Sequence, residues 1–352
     1  MGHTAQMTAT LRRPRALAEA GLIAPERIAE LEAVAARYAV AVTPALADLI
    51  DPGCAQDPIA AQFLPDTREL ETHEDELTDP IADQAMTPVK GVVHRYADRV
   101  LLKVTHTCAV YCRFCFRREM VGPGGDGDLT GADLDAALTY VAERPEVWEV
   151  ILTGGDPLVL SDRRLAHLLG RLAAIDHVKV IRIHTRMPVA DPARITPALA
   201  ALLSGAGRPV WIALHANHAR ELTPNARAAC ARLVDAGLPM VSQSVLLRGV
   251  NDTPKALSEL MRAFVETRVK PYYLHHADLA PGTAHLRTTL AEGQALMQRV
   301  RGDLSGLAQP TYVLDIPGGH GKAPVGPTYL DDDLATVADP SGVRHAYPPR
   351  SG

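Results

Sequence analysis

The chain has 352 residues, 47% of them hydrophobic and 22% charged, with a formal net charge of −5. A composition of this kind belongs to an ordinary globular protein, and the acidic balance excludes the basic surface a nucleic-acid binder needs. No apolar run is long enough to span a membrane, and the first residues lack the apolar core of a secretory leader, so a cytoplasmic protein is expected.

Residues 1–98 differ from the rest. "PRALAEAGLIAPERIAELEAVAARYAV" has helical spacing, and "TPALADLI" predicts another short helix. The stretch that follows, "DPGCAQDPIAAQFLPDTRELETHEDELTDPIADQAMTPVKG", is rich in Pro and Asp. It reads as an extended segment wrapped over something larger and anchored by Ile59, Phe63, Leu64 and Ile81. From Arg99 to about residue 330 a rhythm sets in. Apolar strands ("RVLLKVT", "WEVILT", "VKVIRIHT", "PVWIALHA", "PMVSQSVLL", "KPYYLHHA", "PTYVLDI") alternate with helical stretches that open on Ser or Thr. Six such units and a closing strand predict an α/β fold, a partial (β/α)6 barrel of the TIM type. A Gly-rich dinucleotide fingerprint is absent after the first strand. Residues 331–352 read as a tail, either a short strand pair or an arm.

In such barrels the working residues sit at the C-terminal ends of strands. The first strand ends in "THTCAVYCRFCFRRE", which carries Cys108, Cys112 and Cys115; the remaining cysteines, Cys54 and Cys230, read as ordinary free thiols. Three clustered thiolates suit a four-iron cluster with one iron left open, whereas zinc would need a fourth ligand such as His106. Spacing favours the cluster and leaves zinc open. The second strand ends in "LTGGDPLVLSD", where Gly154 and Gly155 permit close backbone approach and Asp156 offers an acceptor; the alternative is a tight turn capped by Asp156. The last strand runs into "DIPGGHGKAP", where Lys322 stands in a glycine-rich loop as either a surface lysine or a Schiff-base lysine for pyridoxal phosphate. In "HRYADRVLL", Arg95, Tyr96 and Arg99 suit a phosphate, or else form an exposed turn.

The Cx3CxxC loop resembles that of the radical S-adenosylmethionine (SAM) class. The longer series "LTDPIADQAMTPVKGVVHRYADRVLL", "CRFCFRRE", "TGGDPLVLSD", "RIHTRMPV", "LHANHARELT", "SQSVLLRGVND", "RVKPYYLHHADL" and "VLDIPGGHGK" resembles the lysine 2,3-aminomutase family over roughly residues 45–330. The resemblance implies an isomerase that moves the α-amino group of L-lysine to the β-carbon. It implies a [4Fe-4S] cluster on Cys108, Cys112 and Cys115, with SAM held near Gly154, Gly155 and Asp156 and by His215 and Gln243 at the ends of neighbouring strands. Pyridoxal phosphate would sit on Lys322 with Arg95, Tyr96 and Arg99 at its phosphate. The substrate carboxylate falls to Arg117 and the ε-ammonium to Asp278 and Asp315, while His218 reads as structural. An external electron donor of flavodoxin or ferredoxin type is implied, and a homo-oligomer is left open.

Two departures qualify this. Longer members carry zinc-binding cysteines near the C-terminus; this chain has none after Cys230 and places Thr253 where those members place a zinc ligand, so no structural zinc is expected. The short length is shared with a branch that supplies β-lysine to elongation factor P, although the "DIPGGHGK" loop matches the stand-alone mutases. Another amino acid with a cationic side chain, such as arginine or ornithine, fits the same two acids. A plain iron–sulfur electron carrier would need neither Lys322 nor the paired aspartates, and a zinc-dependent structural protein would contain no iron.

Overall fold

The computed structural model describes residues 9–122, 128–332 and 334–349. Residues 1–8, on which part of the leader expectation rests, lie outside them. Among the described residues no helix is long and apolar enough to cross a membrane.

Nine strands form one sheet in chain order: β1 (Val92–Tyr96), β2 (Arg99–Thr105), β3 (Glu149–Gly154), β4 (Val180–Thr185), β5 (Val210–His215), β6 (Met240–Leu246), β7 (Lys270–His276), β8 (Thr311–Asp315) and β9 (Lys322–Pro324). Strands β2 to β8 run parallel; β1 and β9 pair antiparallel on the two outer edges. The sheet curls, because one cavity is lined from β1, β2, β3, β4, β5, β6, β7, β8 and β9 alike. It is an open half-barrel. The expected six units are all present, with helices at Gly131–Ala142, Asp162–Ala173, Pro197–Ser204, Pro224–Asp235, Pro254–Glu266 and Leu290–Asp303.

Local chemistry explains the breaks. Ser161, Thr196, Thr223, Thr253 and Thr289 each accept a backbone N–H at a helix start. Such a cap is worth about 1 kcal/mol. Thr253 is thus a helix cap, its Oγ1 accepting from Ala256 N at 3.2 Å. Between sheet and helices lies the apolar core, with Leu102, Leu152, Ile181, Ile183, Leu165 and Phe264 fully buried. The opposite face of the sheet is different. In β4, Ile181 and Ile183 point to the core, while Arg182 and His184 point to the cavity.

Two local expectations are corrected. Residues 94–96 are no exposed turn: Arg95 and Tyr96 belong to β1, which pairs with β2 through Val92↔Leu102 and Tyr96↔Arg99, and the Arg95 side chain is buried. Gln243 is not at a strand end but in the middle of β6, in register with His215 at the end of β5. The tail contains the strand pair β10 (Thr336–Ala338) and β11 (Arg344–Ala346).

The N-terminal segment builds a second core from Leu17, Leu31, Val34, Ile59 and Phe63, packed on Val110 of the cysteine loop. Ile81 is buried and Leu64 half-buried, as anchors should be. The segment also has an ionic tie. Glu69 is fully buried and accepts from Arg113, whose Nε lies 2.9 Å from Oε1, and from Arg118. Burial alone would raise the Glu69 carboxyl, but the charges of Arg113 and Arg118 hold it below the ordinary value. Arg113 lies between Cys112 and Cys115, so this cluster fixes the cysteine loop. Replacing Glu69 by Ala strands two buried cations, and stability should drop by about 3–5 kcal/mol. Urea denaturation checks this; an unchanged midpoint would mean that apolar packing alone holds the segment.

Candidate active site

The curled sheet encloses a cavity of about 530 Å³. In a closed barrel this volume would be filled by layers of side chains. Here it runs from the cysteine loop at the C-terminal strand ends down to Arg99 and Glu149, the first residues of β2 and β3. Every residue expected at the site lines it: Cys108, Cys112, Cys115, Gly154, Gly155, Asp156, His215 and Gln243 at one end, Arg95, Tyr96, Arg99 and Lys322 at the other, with Arg117, Asp278 and Asp315 between.

At the cysteine end, burial raises all three thiols, Cys112 to about 11. The dry pocket therefore disfavours bare thiolates, and a bound cationic group would offset that cost. Among the described residues no group of three His, Cys, Asp or Glu is arranged to hold one metal ion. All three cysteines line the same cavity. His106 has one ring nitrogen, Nδ1, engaged with Met120 O at 2.9 Å.

The glycines at the end of β3 are there for contact. A Cβ on Gly155 would stand 2.1 Å from Thr107 O, and one on Gly154, at φ +117, 2.3 Å from Thr105 O. Bare backbone thus lets β3 close against the cysteine loop, with Asp156 N donating to Thr107 O at 2.9 Å. The Asp156 carboxylate is already engaged, accepting from Thr185 Oγ1 (2.7 Å), Arg186 N (2.8 Å) and Leu158 N (3.0 Å). The acceptor expected there is spent on joining β3 to β4. His215 packs on Phe114 with ring centroids 5.5 Å apart, and its Nε2 is buried without a protein partner. Burial holds His215 well below the ordinary histidine value, so it is neutral. A buried imidazole with a vacant nitrogen on a cavity wall fits a polar ligand such as SAM. His218 takes the structural role, Nδ1 accepting from Arg220 N at 3.2 Å.

Sequence reading missed His184 and Arg186. His184 Nε2 lies 3.3 Å from Gln243 Nε2, and Arg186 pairs with the buried Glu221 at 3.2 Å. Their signal was the alternation in "VIRIHTR", which sets Arg182, His184 and Arg186 on one side of an otherwise apolar strand.

At the other end, β8 and β9 form a hairpin. Gly318 (φ +84), Gly319 (φ +81) and Gly321 (φ +93) take left-handed turns closed to most residues. The turn sets Lys322 in register with Asp315, and Lys322 Nζ donates to Asp315 Oδ1. The other oxygen, Oδ2, lies 3.1 Å from His275 Nδ1. Burial would raise Asp315, yet the His275 hydrogen bond and the Lys322 charge hold it well below the carboxylate range. The backbone N–H of Lys322 donates to Tyr96 Oη at 2.7 Å, and the Arg99 guanidinium stacks 3.7 Å over the Tyr96 ring. Arg95 carries a buried Nε without a protein partner. A lysine beside two arginines and a phenol, one arginine with a vacant donor, fits an aldehyde bearing a phosphate.

A sequence model of the radical SAM superfamily matches residues 102–261, and one described as lysine-2,3-aminomutase matches residues 297–337. The chain is 43% identical over 291 residues to the L-lysine 2,3-aminomutase of Fusobacterium nucleatum, covering 83% of this chain and 68% of that protein. It is equally similar to the L-lysine 2,3-aminomutase of Clostridium subterminale, covering 83% and 70%. This chain belongs to the lysine 2,3-aminomutase family. It is therefore an isomerase of the radical SAM class, working with a [4Fe-4S] cluster and SAM. A glutamate 2,3-aminomutase of Clostridioides difficile is 37% identical, covering 85% of this chain and 70% of that protein, so family membership alone leaves the side chain of the substrate open.

Asp278 bears on that choice. Its carboxyl is raised from 3.8 to about 7, first by burial and then by the charge of Asp315. Between these values the folded chain keeps a proton there that the unfolded chain releases, so this group's contribution to stability falls as pH rises from about 4 to about 7. Asp278→Asn has no such proton to lose. Relative to wild type it should be more stable at pH 8 than at pH 5, read from denaturation midpoints at both. An equal difference at the two pH values would mean that Asp278 is ionised throughout.

Proposed function

We propose that this enzyme converts L-lysine to β-lysine, with pyridoxal phosphate on Lys322 beside the cluster and SAM. The carrying observation is the paired Asp278 and Asp315 in the cavity that also holds Arg117. One cation and two acids match an amino acid with an anionic carboxylate and a cationic side chain. A glutamate side chain would be repelled by the Asp315 carboxylate, and by Asp278 as well once it ionises near neutral pH.

The bound groups supply a radical able to break an unactivated C–H bond and a conjugated system across which nitrogen migrates. The chain's own residues position and exclude. Arg117 binds the substrate carboxylate through a planar fork. Arg95, Tyr96 and Arg99 would hold the cofactor phosphate, and Lys322 would hold its aldehyde. Asp278 and Asp315, on the wall of the same cavity, would receive the substrate ε-ammonium. Phe114 and the enclosing strands keep water and stray hydrogen donors away. Reduction of the cluster comes from an external one-electron donor of flavodoxin or ferredoxin type.

Anaerobic incubation of cluster-reconstituted protein with pyridoxal phosphate, SAM, reductant and L-lysine should yield β-lysine by mass spectrometry, and omitting either cofactor should abolish it. Lys322→Ala should lose turnover while retaining its iron. Turnover of arginine or ornithine in place of lysine would move the substrate, and full activity in Lys322→Ala would remove pyridoxal phosphate from that residue.

A further inference from the structure

The site contains a buried acid with no assigned part in the reaction. Asp83, in the N-terminal segment, has a side chain with 0% exposure. Its backbone is pinned from both sides: Asp83 N donates to Asp79 Oδ1 at 2.8 Å, and Thr87 Oγ1 donates to Asp83 O at 2.6 Å. Its two carboxylate oxygens go to two different arginines. Oδ1 lies 3.2 Å from Arg95 Nη2, and Oδ2 lies 2.7 Å from Arg117 Nε.

We propose that Asp83 is a positioning residue that couples the cofactor site to the substrate site, by aiming Arg95 at the phosphate and Arg117 at the amino acid carboxylate. The inference rests on the reading of the cavity given above. A guanidinium offers donors on two edges. Asp83 engages Arg117 at Nε, and the Arg117 plane is braced 4.4 Å over the Phe116 ring. That leaves the paired outer nitrogens of Arg117 for the cavity it lines. Arg95 is held at Nη2 by Asp83 and by Ile81 O, while its Nε is buried and lacks a protein acceptor. Both arginines are thus fixed on one side and vacant on another.

Charge supports the same reading. One carboxylate facing two arginines leaves a net positive charge, and Lys103 adds to the positive field at Asp83. A second acid would cancel the attraction for anionic ligands. With no acid, two cations would be buried uncompensated. Because Asp83 joins both arginines rigidly, occupation of one site orders the arginine that serves the other.

The test uses cluster-reconstituted protein carrying Asp83→Asn or Asp83→Glu. Three readouts are taken: pyridoxal phosphate affinity by absorbance titration without substrate, KM and kcat for L-lysine at saturating cofactors, and iron content. Asp83→Asn should raise both the cofactor Kd and the lysine KM at least tenfold, with a smaller change in kcat and full iron content. Asp83→Glu keeps the charge but displaces it by one methylene, and should show smaller rises in both constants together. In an Arg117→Lys background, Asp83→Asn should still weaken the cofactor but raise KM no further. If Asp83→Asn does not fold, Asp83→Glu decides. Wild-type Kd and KM in the folded variants, with only thermal stability lowered, would overturn the proposal. A wild-type protein that takes up no pyridoxal phosphate would overturn the reading of the site, and this inference with it.

Discussion

Burying cations beside the cysteine loop is the constraint on which the rest of the structure depends. Arg113, Arg117 and Arg118 lie within or just after the loop, and Arg95 lies on the neighbouring strand; all four are buried. In a low-dielectric interior each must be matched by an acid or by a ligand. The barrel strands supply neither of the acids that do this. Glu69 and Asp83 both come from the N-terminal segment, Glu69 for Arg113 and Arg118, Asp83 for Arg95 and Arg117. The segment that looked like a wrapping is therefore the counter-charge of the site. Its apolar anchors hold it down, and its two acids decide where the loop's arginines point.

The cavity uses charge asymmetrically along its length. Near the hairpin, Asp315 is saturated by Lys322 and His275, whereas Asp278 sits in its field and keeps a proton to about neutral pH. The two aspartates differ in state although they are the same residue type in one pocket. The histidines around them are neutral through burial, so they add hydrogen bonds without adding charge.

Much of this was legible in the sequence, for identifiable reasons. The βα rhythm survived translation because helix starts are written in local chemistry, Thr-Pro at 196–197, 223–224 and 253–254. The cysteines, Lys322 and the two aspartates were found because they follow strands or sit in a glycine turn. What escaped depends on tertiary context. β1 was not recognised as a strand because "VVHRYADR" gives no clear alternation and its partner strand supplies the register. Asp156 was read as a ligand acceptor or as the cap of a tight turn, and its position beside the end of β4 commits it to the cap, to Thr185 and to Arg186. Asp83 escaped altogether: an aspartate among several in an irregular stretch gains meaning only when the fold sets two arginines against it.

The open edge of the sheet has a last consequence. β1 and β9 are the two ends of the strand order, and among the described residues no ladder joins them. They are linked nonetheless by a hydrogen bond, from the Lys322 amide to the Tyr96 hydroxyl, 2.7 Å long. The residues assigned to pyridoxal phosphate lie on both sides of this seam, Arg95 and Tyr96 on one edge and Lys322 on the other. A cofactor seated there as proposed would act as a rivet, held by Lys322 on one free edge and by Arg95 on the other. The ring that the backbone leaves unclosed would be closed by its own prosthetic group, and stiffening on cofactor uptake would concentrate at the two terminal strands.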